Sequence, residues 1–100
     1  MKKKWAFIAM NAAYDLSRQH ARFDTPDQEG HLLTVRSAED AVILAAELAE
    51  QGFGAIEVCG AFGPQLARRM YEATGCRVPV SFITTEPDEL DQVKAFWSGK

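Results

Sequence analysis

The chain has 100 residues, a formal net charge of −3, and a composition of 47% hydrophobic and 25% charged residues. These values exclude a disordered chain and are typical of one globular domain that buries a core without disulfides or metals. Nucleic-acid binding needs a basic surface, and a membrane span needs about 20 consecutive apolar residues. The sequence has neither, so we expect a single domain over residues 1–100 with no nucleic-acid or membrane partner.

The first apolar segment is Trp5–Met10, which follows a run of three lysines. A basic start before an apolar run also occurs in signal peptides. This run is short, however, and its length and aromatic content are typical of a strand covered on both faces. We interpret it as the first strand and expect a cytoplasmic protein. Cys59 and Cys76 fit that compartment, because their spacing is not that of a zinc site and nothing requires a disulfide between them.

The segment after the first strand is polar. Residues 12–21 have the length for one or two helical turns. Residues 22–30, with Pro26 and Gly30 as turn formers, are predicted to form the longest loop of the chain. Long loops in compact domains are often functional. The second strand is predicted at residues 32–35.

A helix is predicted from Ser37 to about Gln51. Ser37 is a favourable N-cap, a stripe of alanine and leucine lies on one side, and Gly52 is the expected residue after the helix end. Ile43 lies on the opposite, acidic side. We expect it to be exposed and treat it as a candidate contact between subunits.

The second half of the chain has the same alternation. The third strand is predicted at residues 55–59, followed by a glycine turn at 60–64 and a helix that begins near Pro64. The fourth strand is predicted at residues 78–83. It is placed at an edge of the sheet, because Pro79 cannot donate a hydrogen bond to a neighbouring strand.

The last helix is predicted to begin after Thr85, which can cap it. Leu90, Val93 and Trp97 recur at the spacing of one helix face, and we expect them to dock this helix on the rest of the domain. Four aromatic residues are assigned to the core: Trp5, Phe7, Phe82 and Trp97.

Strands that alternate with helices predict βαβ units with right-handed crossovers. The fold class is therefore α/β. We expect a small three-layer sandwich around a mostly parallel four-stranded sheet, with the strand order 2-1-3-4 and the apolar first strand near the centre. The alternative is a ferredoxin-like α+β sandwich. It requires antiparallel neighbours, and the short strand–turn–helix–strand unit over residues 55–83 argues against it.

Ligands of open parallel sheets bind beyond the carboxyl ends of the strands, where the strand order reverses. In the predicted order this point lies between the first and third strands. The backbone N–H groups of the glycine turn and the dipole of the following helix favour a small anionic ligand there. The turn lacks the GxGxxG and P-loop motifs, and the alternative is that its glycines only make a tight turn. The predicted ligand-binding residues are Asn11, Gly60, Ala61, Phe62 and Gly63.

A catalytic thiol is a second hypothesis for the same edge. Cys59 ends the third strand close to a helix N-terminus, where thiolates are favoured. His20 is the candidate base, and Glu57 lies on the same face of the strand as Cys59. The alternative is that Cys59 is a small core residue and that Glu57 occupies a strand-end or partly solvent-exposed position. The two histidines lack metal-ligand spacing, so no metal site is expected, and the sequence identifies no cofactor.

Three segments carry a resemblance to a known family: Trp5–Ile8, Ile56–Pro64 and Val78–Val80. The chain resembles small uncharacterised bacterial single-domain proteins that have a Trp-Ala-Phe-Ile start and a Cys-Gly-x-Phe-Gly-Pro turn. The resemblance covers most of the chain and implies one small domain, but no established activity comes with it. The end of the chain, from Thr84 onward, departs from the Gly-rich ending of the family.

The sequence therefore leaves three functions open. The first is a small-ligand or anion-binding module, expected as a homodimer, that uses the strand–glycine turn–helix edge. The second is a small enzyme at the same edge with Cys59, Glu57 and His20. The third is a structural or interaction subunit of a homo-oligomer, with exposed apolar residues such as Ile43 at the contact.

Overall fold

The computed structural model describes residues 2–99 of the domain predicted over 1–100; residues 1 and 100 lie outside the described part. The fold is α/β, as predicted. The strands are β1 (Lys3–Met10), β2 (Ala21–Asp24), β3 (Gln28–Val35), β4 (Ala55–Val58) and β5 (Val80–Phe82). The helices are α1 (Ala38–Glu50), α2 (Gly63–Ala73) and α3 (Leu90–Ser98), and a 3₁₀ turn, Pro87–Glu89, leads into α3.

The five strands form one sheet in the order β2-β3-β1-β4-β5. β1 pairs in parallel with β3 and β4, β4 pairs in parallel with β5, and β2 is antiparallel to β3. The four predicted strands thus have the predicted relative order, with β1 at the centre and β5 at an edge. The ferredoxin-like alternative is wrong, because the central strand is parallel to both neighbours. The prediction of four strands is also wrong, because β2 adds a fifth and makes the sheet mixed.

The segment 22–30 was predicted to be a loop and forms most of a β-hairpin instead. β2 and the first residues of β3 pair across a turn in which the Thr25 N–H donates to the Gln28 carbonyl at 2.9 Å. Charged and apolar residues alternate along β2. Edge strands often carry charges, which discourage pairing with other sheets. The polarity of this segment therefore indicates an edge strand.

The connection between β1 and β2 consists of turns and contains no helix. Two short side chains hold its backbone: Asn11 Oδ1 accepts the Ala13 N–H at 2.8 Å, and Asp15 Oδ1 accepts the Ser17 N–H at 3.0 Å. Turns closed by such side chains compete with helical hydrogen bonds. The prediction of helical turns over 12–21 is wrong for this reason.

The two long helices begin where the sequence indicates. The Ser37 hydroxyl accepts the Asp40 N–H at 3.2 Å and caps α1, and Gly52 follows the helix with a φ of +88°. α2 begins one residue before Pro64. Ile43, on the outer side of α1, is 58% exposed, as expected.

Both long helices lie on the same side of the sheet. The crossover from β3 through α1 to β4 and the crossover from β4 through α2 to β5 run in the same direction across the sheet. Right-handed connections that run in one direction place their helices on one face, and α1 packs beside α2. The connection from β1 to β3 runs the other way but contains only turns and β2. The domain therefore has two layers, and the prediction of three layers is wrong.

The core lies between this helix layer and the sheet. Ala6 and Ile8, which point from β1 toward the helices, have no exposed surface. Phe62 is 6% exposed and fills the core from the glycine turn. The other buried apolar residues are Val35, Ala41, Ala45, Leu48, Phe53, Ile56, Val58, Leu66, Ala67, Met70 and Val78.

The opposite side of the sheet carries no helix, and we call it the open face. Side chains of paired residues on neighbouring strands point to the same side, so the strand register defines this surface. Phe23 is 57% and Leu32 is 39% exposed, and β1 contributes half-buried aromatic side chains. Since β1 was expected to be covered on both faces, this is a correction. The open face consists of Trp5, Phe7, Ala9, Ala21, Phe23, Leu32, Thr34, Glu57 and Ser81.

α3 projects from the domain instead of docking on it. None of its residues is buried, and among the described elements its main contact is with the 3₁₀ turn. The prediction that Leu90, Val93 and Trp97 dock the helix is therefore wrong, and Trp97, 78% exposed, and Phe82, 41% exposed, do not lie in the core. The Thr85 cap is wrong as well, because the N-cap position of α3 is Glu89 and has no side-chain hydrogen bond.

A cluster of charges holds β1, β2 and β3 together near the start of β3. The Glu29 carboxylate accepts a hydrogen bond from His31 Nε2 at 2.9 Å and pairs with Arg22 at 3.2 Å and Lys4 at 3.9 Å. The His31 hydrogen bond, followed by the positive charges of Arg22 and Lys4, holds the pKa of Glu29 below its usual value of 4.5.

This lowered pKa makes a prediction about acid stability. A carboxylate whose pKa is depressed in the folded state stabilises it above the unfolded pKa, and this contribution is lost as the pH falls through the folded pKa. Glu29→Gln should therefore lower the melting temperature at pH 7 and make the loss of stability below about pH 5 less steep. Thermal unfolding between pH 2 and pH 7 measures both effects.

Glu39→Gln is the control, because the Glu39 side chain is 76% exposed in its pair with Arg69, and exposed pairs contribute little. If both variants follow the same pH profile as the unmodified protein, the Glu29 cluster does not contribute to stability.

Gly30 lies within β3 and makes room for the Trp5 indole, rather than forming a turn as predicted. The two residues are paired neighbours, and a Cβ atom at position 30 would lie 2.3 Å from Cζ2 of Trp5. The indole Nε1 donates to Gln28 Oε1 at 3.2 Å, which orients the ring across the glycine. The position of Trp5 on the open face thus depends on residue 30 being glycine, which has no side chain.

Gly30→Ala is expected to destabilise the domain by about 1–3 kcal/mol, because the new methyl group must displace the indole. Unfolding in urea measures this change. Gly60→Ala is the matched control, since a Cβ atom there meets nothing within 4 Å. Equal stability of the two variants would contradict the position assigned to Trp5.

Candidate functional site

The predicted ligand-binding residues lie at one edge of the sheet. The connection that leaves β1 runs toward β3, and the connection that leaves β4 runs toward β5, so the strand order reverses between β1 and β4. Asn11 follows β1, and the glycine turn follows β4. The Cys59 N–H donates to the Ile8 carbonyl at 3.0 Å, which joins the two strand ends. The topology therefore brings together the residues that the sequence assigned to this point.

Asn11 has a structural task at that edge. Its N–H donates to the Val35 carbonyl at 3.0 Å, and its side-chain oxygen accepts the Ala13 N–H. The side chain thus closes the turn that begins the connection to β2. This hydrogen bond gives the side-chain oxygen of Asn11 a structural role, and the ligand contact predicted for Asn11 stays a prediction.

The glycine turn is also explained by the fold. Phe62 is buried, and its N–H donates to the Cys59 carbonyl at 3.1 Å. Gly63 has a φ of +74°, a conformation that side chains rarely adopt, so glycine is required for the turn itself. Gly60 and Ala61 are exposed. The arginines of α2 do not supply a free positive charge, because Arg68 and Arg69 both pair with carboxylates, at 3.5 and 3.1 Å.

The proposed thiol constellation is not assembled. Cys59 is half-buried and packs against the core, and Glu57 is exposed on the open face. His20 precedes β2, which is three strand spacings, about 14 Å, from β4. A base must lie within about 3 Å of the thiol it activates. Among Cys59, Glu57 and His20, the structure therefore does not bring the histidine to the cysteine.

A concave surface on the open face lies elsewhere, over β1, β2 and β3, and we call it the face groove. Its volume is about 390 Å³. Strand residues form an apolar floor, and the last residues of the β1–β2 connection form a more polar rim. The lining residues are Phe7, Ala9, Gln19, His20, Ala21, Leu32, Leu33 and Thr34.

Hydrogen bonds orient two polar groups at the rim of the face groove. His20 Nδ1 lies 2.8 Å from the Leu16 carbonyl. A carbonyl only accepts, so this contact assigns the proton of the neutral imidazole to Nδ1 and leaves Nε2 as an acceptor. The Thr34 hydroxyl donates to the Gln19 carbonyl at 2.8 Å. His20 Nε2 and the Thr34 hydroxyl oxygen are therefore the acceptors that these two contacts leave at the rim.

Two further cavities lie at the helix layer. One, of about 210 Å³, lies between α1 and the β1–β2 connection and includes Asp15 and Arg36. Hydrogen bonds from the Ser17 hydroxyl and N–H hold the pKa of Asp15 below its usual value. The other, of about 420 Å³, lies between α2 and β5 and includes Tyr71 and Phe82. Neither of them, nor the face groove, is lined by Cys59 or Glu57.

Sequence reasoning missed the face groove because it depends on β2, which was assigned to a loop. His20 was selected, but for a catalytic role. The alternation of charged and apolar residues in β2 was the available signal. Within residues 2–99 there is no cluster of three or more His, Cys, Asp or Glu side chains that could hold a metal ion, and no helix is long and apolar enough to cross a bilayer.

Comparison with known proteins identifies a family but no activity. The profile of a family of unknown function, DUF6506, matches residues 3–98. No curated protein and no solved structure matches the chain. The family match agrees with the expected small uncharacterised domain and covers nearly the whole chain. The protein is therefore a member of the DUF6506 family of unknown function.

Proposed function

We propose that this protein is a small-ligand-binding module and that the face groove takes an apolar, ring-containing molecule with one hydroxyl group. The observation that carries the proposal is the pairing of an apolar floor with a single oriented imidazole. A volume of about 390 Å³ lies within the range of small-molecule sites, about 300–1,000 Å³. Such sites combine an apolar lining with a few placed polar groups.

The chemistry of the lining selects the ligand class. Phe7 and Leu32 provide apolar surface. A ligand that covers this surface is favoured because it removes the surface from water. His20 Nε2 is an acceptor at the rim, and it can accept a hydrogen bond from a hydroxyl group of the ligand. Among residues 2–99, no lysine or arginine lines the face groove. The ligand class proposed here is therefore neutral rather than anionic.

This proposal moves the ligand away from the glycine turn. The anion hypothesis depended on free N–H groups at the start of α2. There the Phe62 N–H is already bonded, Pro64 has no N–H to donate, and both arginines of α2 are paired, so fewer donors face an anion than the sequence suggested. Gly63 is needed for the turn itself because its φ is +74°, which supports the interpretation that this glycine has a conformational role.

Titration with phenol, toluene and inorganic phosphate, followed by amide chemical shifts, tests the proposed function. Phenol is expected to shift the amides of β1, β2 and β3 that line the face groove. His20→Ala should weaken phenol binding about fivefold, the value of one hydrogen bond of about 1 kcal/mol, and should leave toluene binding unchanged. Leu32→Ala should weaken both.

Gly60→Ala is the control, because position 60 is exposed and is not part of the lining of the face groove. Shifts caused by phosphate and confined to residues 59–66 would instead support the anion hypothesis. Absence of binding by all three probes would refute the proposed ligand class.

A further inference from the structure

α3 has an apolar side that is largely exposed in the part of the chain that the structure describes. At 100° per residue, its four large apolar residues fall within an arc of about 120°. Phe96 is 73% and Trp97 is 78% exposed, while Leu90 and Val93 are 41% and 36% exposed. A helix of nine residues is too short to persist alone in water, because isolated helices need about 12–15 residues even to be marginally stable. α3 therefore needs a surface to pack on.

The open face is the matching surface on the same chain. Five strands at about 4.8 Å spacing make a surface about 20 Å wide, and a helix is about 10 Å wide. The open face can thus hold one helix beside the face groove. Trp5 and Phe7 lie on the central strand, where a helix would cover Trp5 and contact Phe7 at the border of the face groove, which Phe7 also lines.

α3 does not reach this surface within its own chain. It extends from the end of β5, and the molecule measures 43 × 26 × 25 Å. The radius of gyration is 14.3 Å, compared with about 13 Å for a compact chain of 100 residues. The helix is thus held away from its own sheet, in a position from which it can reach another molecule.

We propose that two copies of this chain form a homodimer in which α3 of each copy packs on the open face of the other. A twofold axis satisfies both surfaces of both chains at once, because each contact is repeated with the roles exchanged. The proposal is independent of the ligand of the face groove. It gives the groove a wall, since a helix over β1 and β4 contacts Phe7 from one side and leaves the part of the groove over β2 and β3 accessible.

Two charged residues support this placement of α3. Glu57 lies on the open face between β1 and β5, in register with Phe7 and Ser81. Lys94 lies about 40° from Leu90 around the helix, at the border of the apolar side. Within residues 2–99 neither side chain takes part in an ion pair. Packing of α3 on the partner's sheet brings the two opposite charges together.

The exposed area is sufficient for a stable dimer. An aromatic side chain has about 150–250 Å² of surface. At the exposures above, Phe96 and Trp97 together present about 300 Å² per helix. The rings of the two helices then bury about 600 Å², and the sheet surfaces that they cover lose a similar area. The total of about 1,200 Å² is the lower end of the range for stable complexes.

Sedimentation equilibrium of the full chain tests the dimer. The unmodified protein is expected to be a dimer at micromolar concentration, and Phe96→Ser/Trp97→Ser is expected to raise the dissociation constant at least about 100-fold. Ile43→Ser is the matched control, because Ile43 is 58% exposed on α1 but belongs to neither surface. A monomer at all concentrations would overturn the proposal. So would a dimer that Ile43→Ser disrupts and Phe96→Ser/Trp97→Ser does not.

A mixing experiment separates exchange between chains from docking within one chain. Glu57→Lys and Lys94→Glu should each weaken self-association, because each homodimer then contains two like-charged contacts. An equimolar mixture should restore the dimer, because both contacts in the mixed dimer join opposite charges. Absence of rescue, with Trp97 shielded from an aqueous fluorescence quencher in a monomeric protein, would show that α3 docks on its own sheet and overturn the proposal.

The dimer proposal and the ligand proposal can be refuted separately. Phenol titration of the Phe96→Ser/Trp97→Ser variant reports the face groove without the exchanged helix. Shifts in the groove of a protein that is monomeric under all conditions would overturn the dimer and leave the ligand proposal intact. A dimer that the mixing experiment confirms, but that binds none of the probes, would support the dimer and refute the ligand class.

Discussion

The direction of the two helical crossovers determines most of this structure. From β3 to β4 and from β4 to β5 the chain moves the same way across the sheet, so right-handed connections place α1 and α2 on one face. The helix layer and that face then bury the whole core. A helix on the other face would require a helical connection from β1 to β3, and the turns stabilised by Asn11 and Asp15 occupy that segment instead. The open face is a consequence of this arrangement.

The remaining features of the molecule follow from a sheet that is covered on one side only. Trp5 on β1 lies half-buried over the glycine in β3, and the large apolar residues of α3 are exposed within residues 2–99. An uncovered apolar sheet and an uncovered apolar helix each favour association, because contact removes both from water. Ligand binding and dimerisation are thus proposed for adjoining parts of one surface, the face groove over β1, β2 and β3 and the helix contact over β1 and β4, which meet at Phe7.

Residue type and strand order predicted where the residues of the candidate site lie, but not what they contact. Asn11, Cys59 and the glycine turn are at the edge where the strand order reverses, because that placement depends only on strand order. The contacts of these residues did not follow from strand order. The Asn11 side chain closes a turn, Phe62 fills the core, and Cys59 packs against it. His20 lies at the rim of a groove instead of beside the thiol. Hydrogen-bond partners and distances between strands arise only when the chain folds, so they could not be predicted from spacing.

By itself, the sequence determined the α/β class, the relative order of four strands, the start of α1 at Ser37 and its end before Gly52. These features depend on local signals: apolar runs, caps and turn residues act within a few positions of the chain. Only the tertiary structure decided that β2 is a strand, that Gly30 accommodates an indole and that Trp97 is exposed. An edge strand needs a neighbour, a glycine of this kind needs the ring opposite it, and burial needs a surface to pack on. Amphipathic spacing predicts a side that must be covered, but the identity of the covering surface is a property of the whole fold.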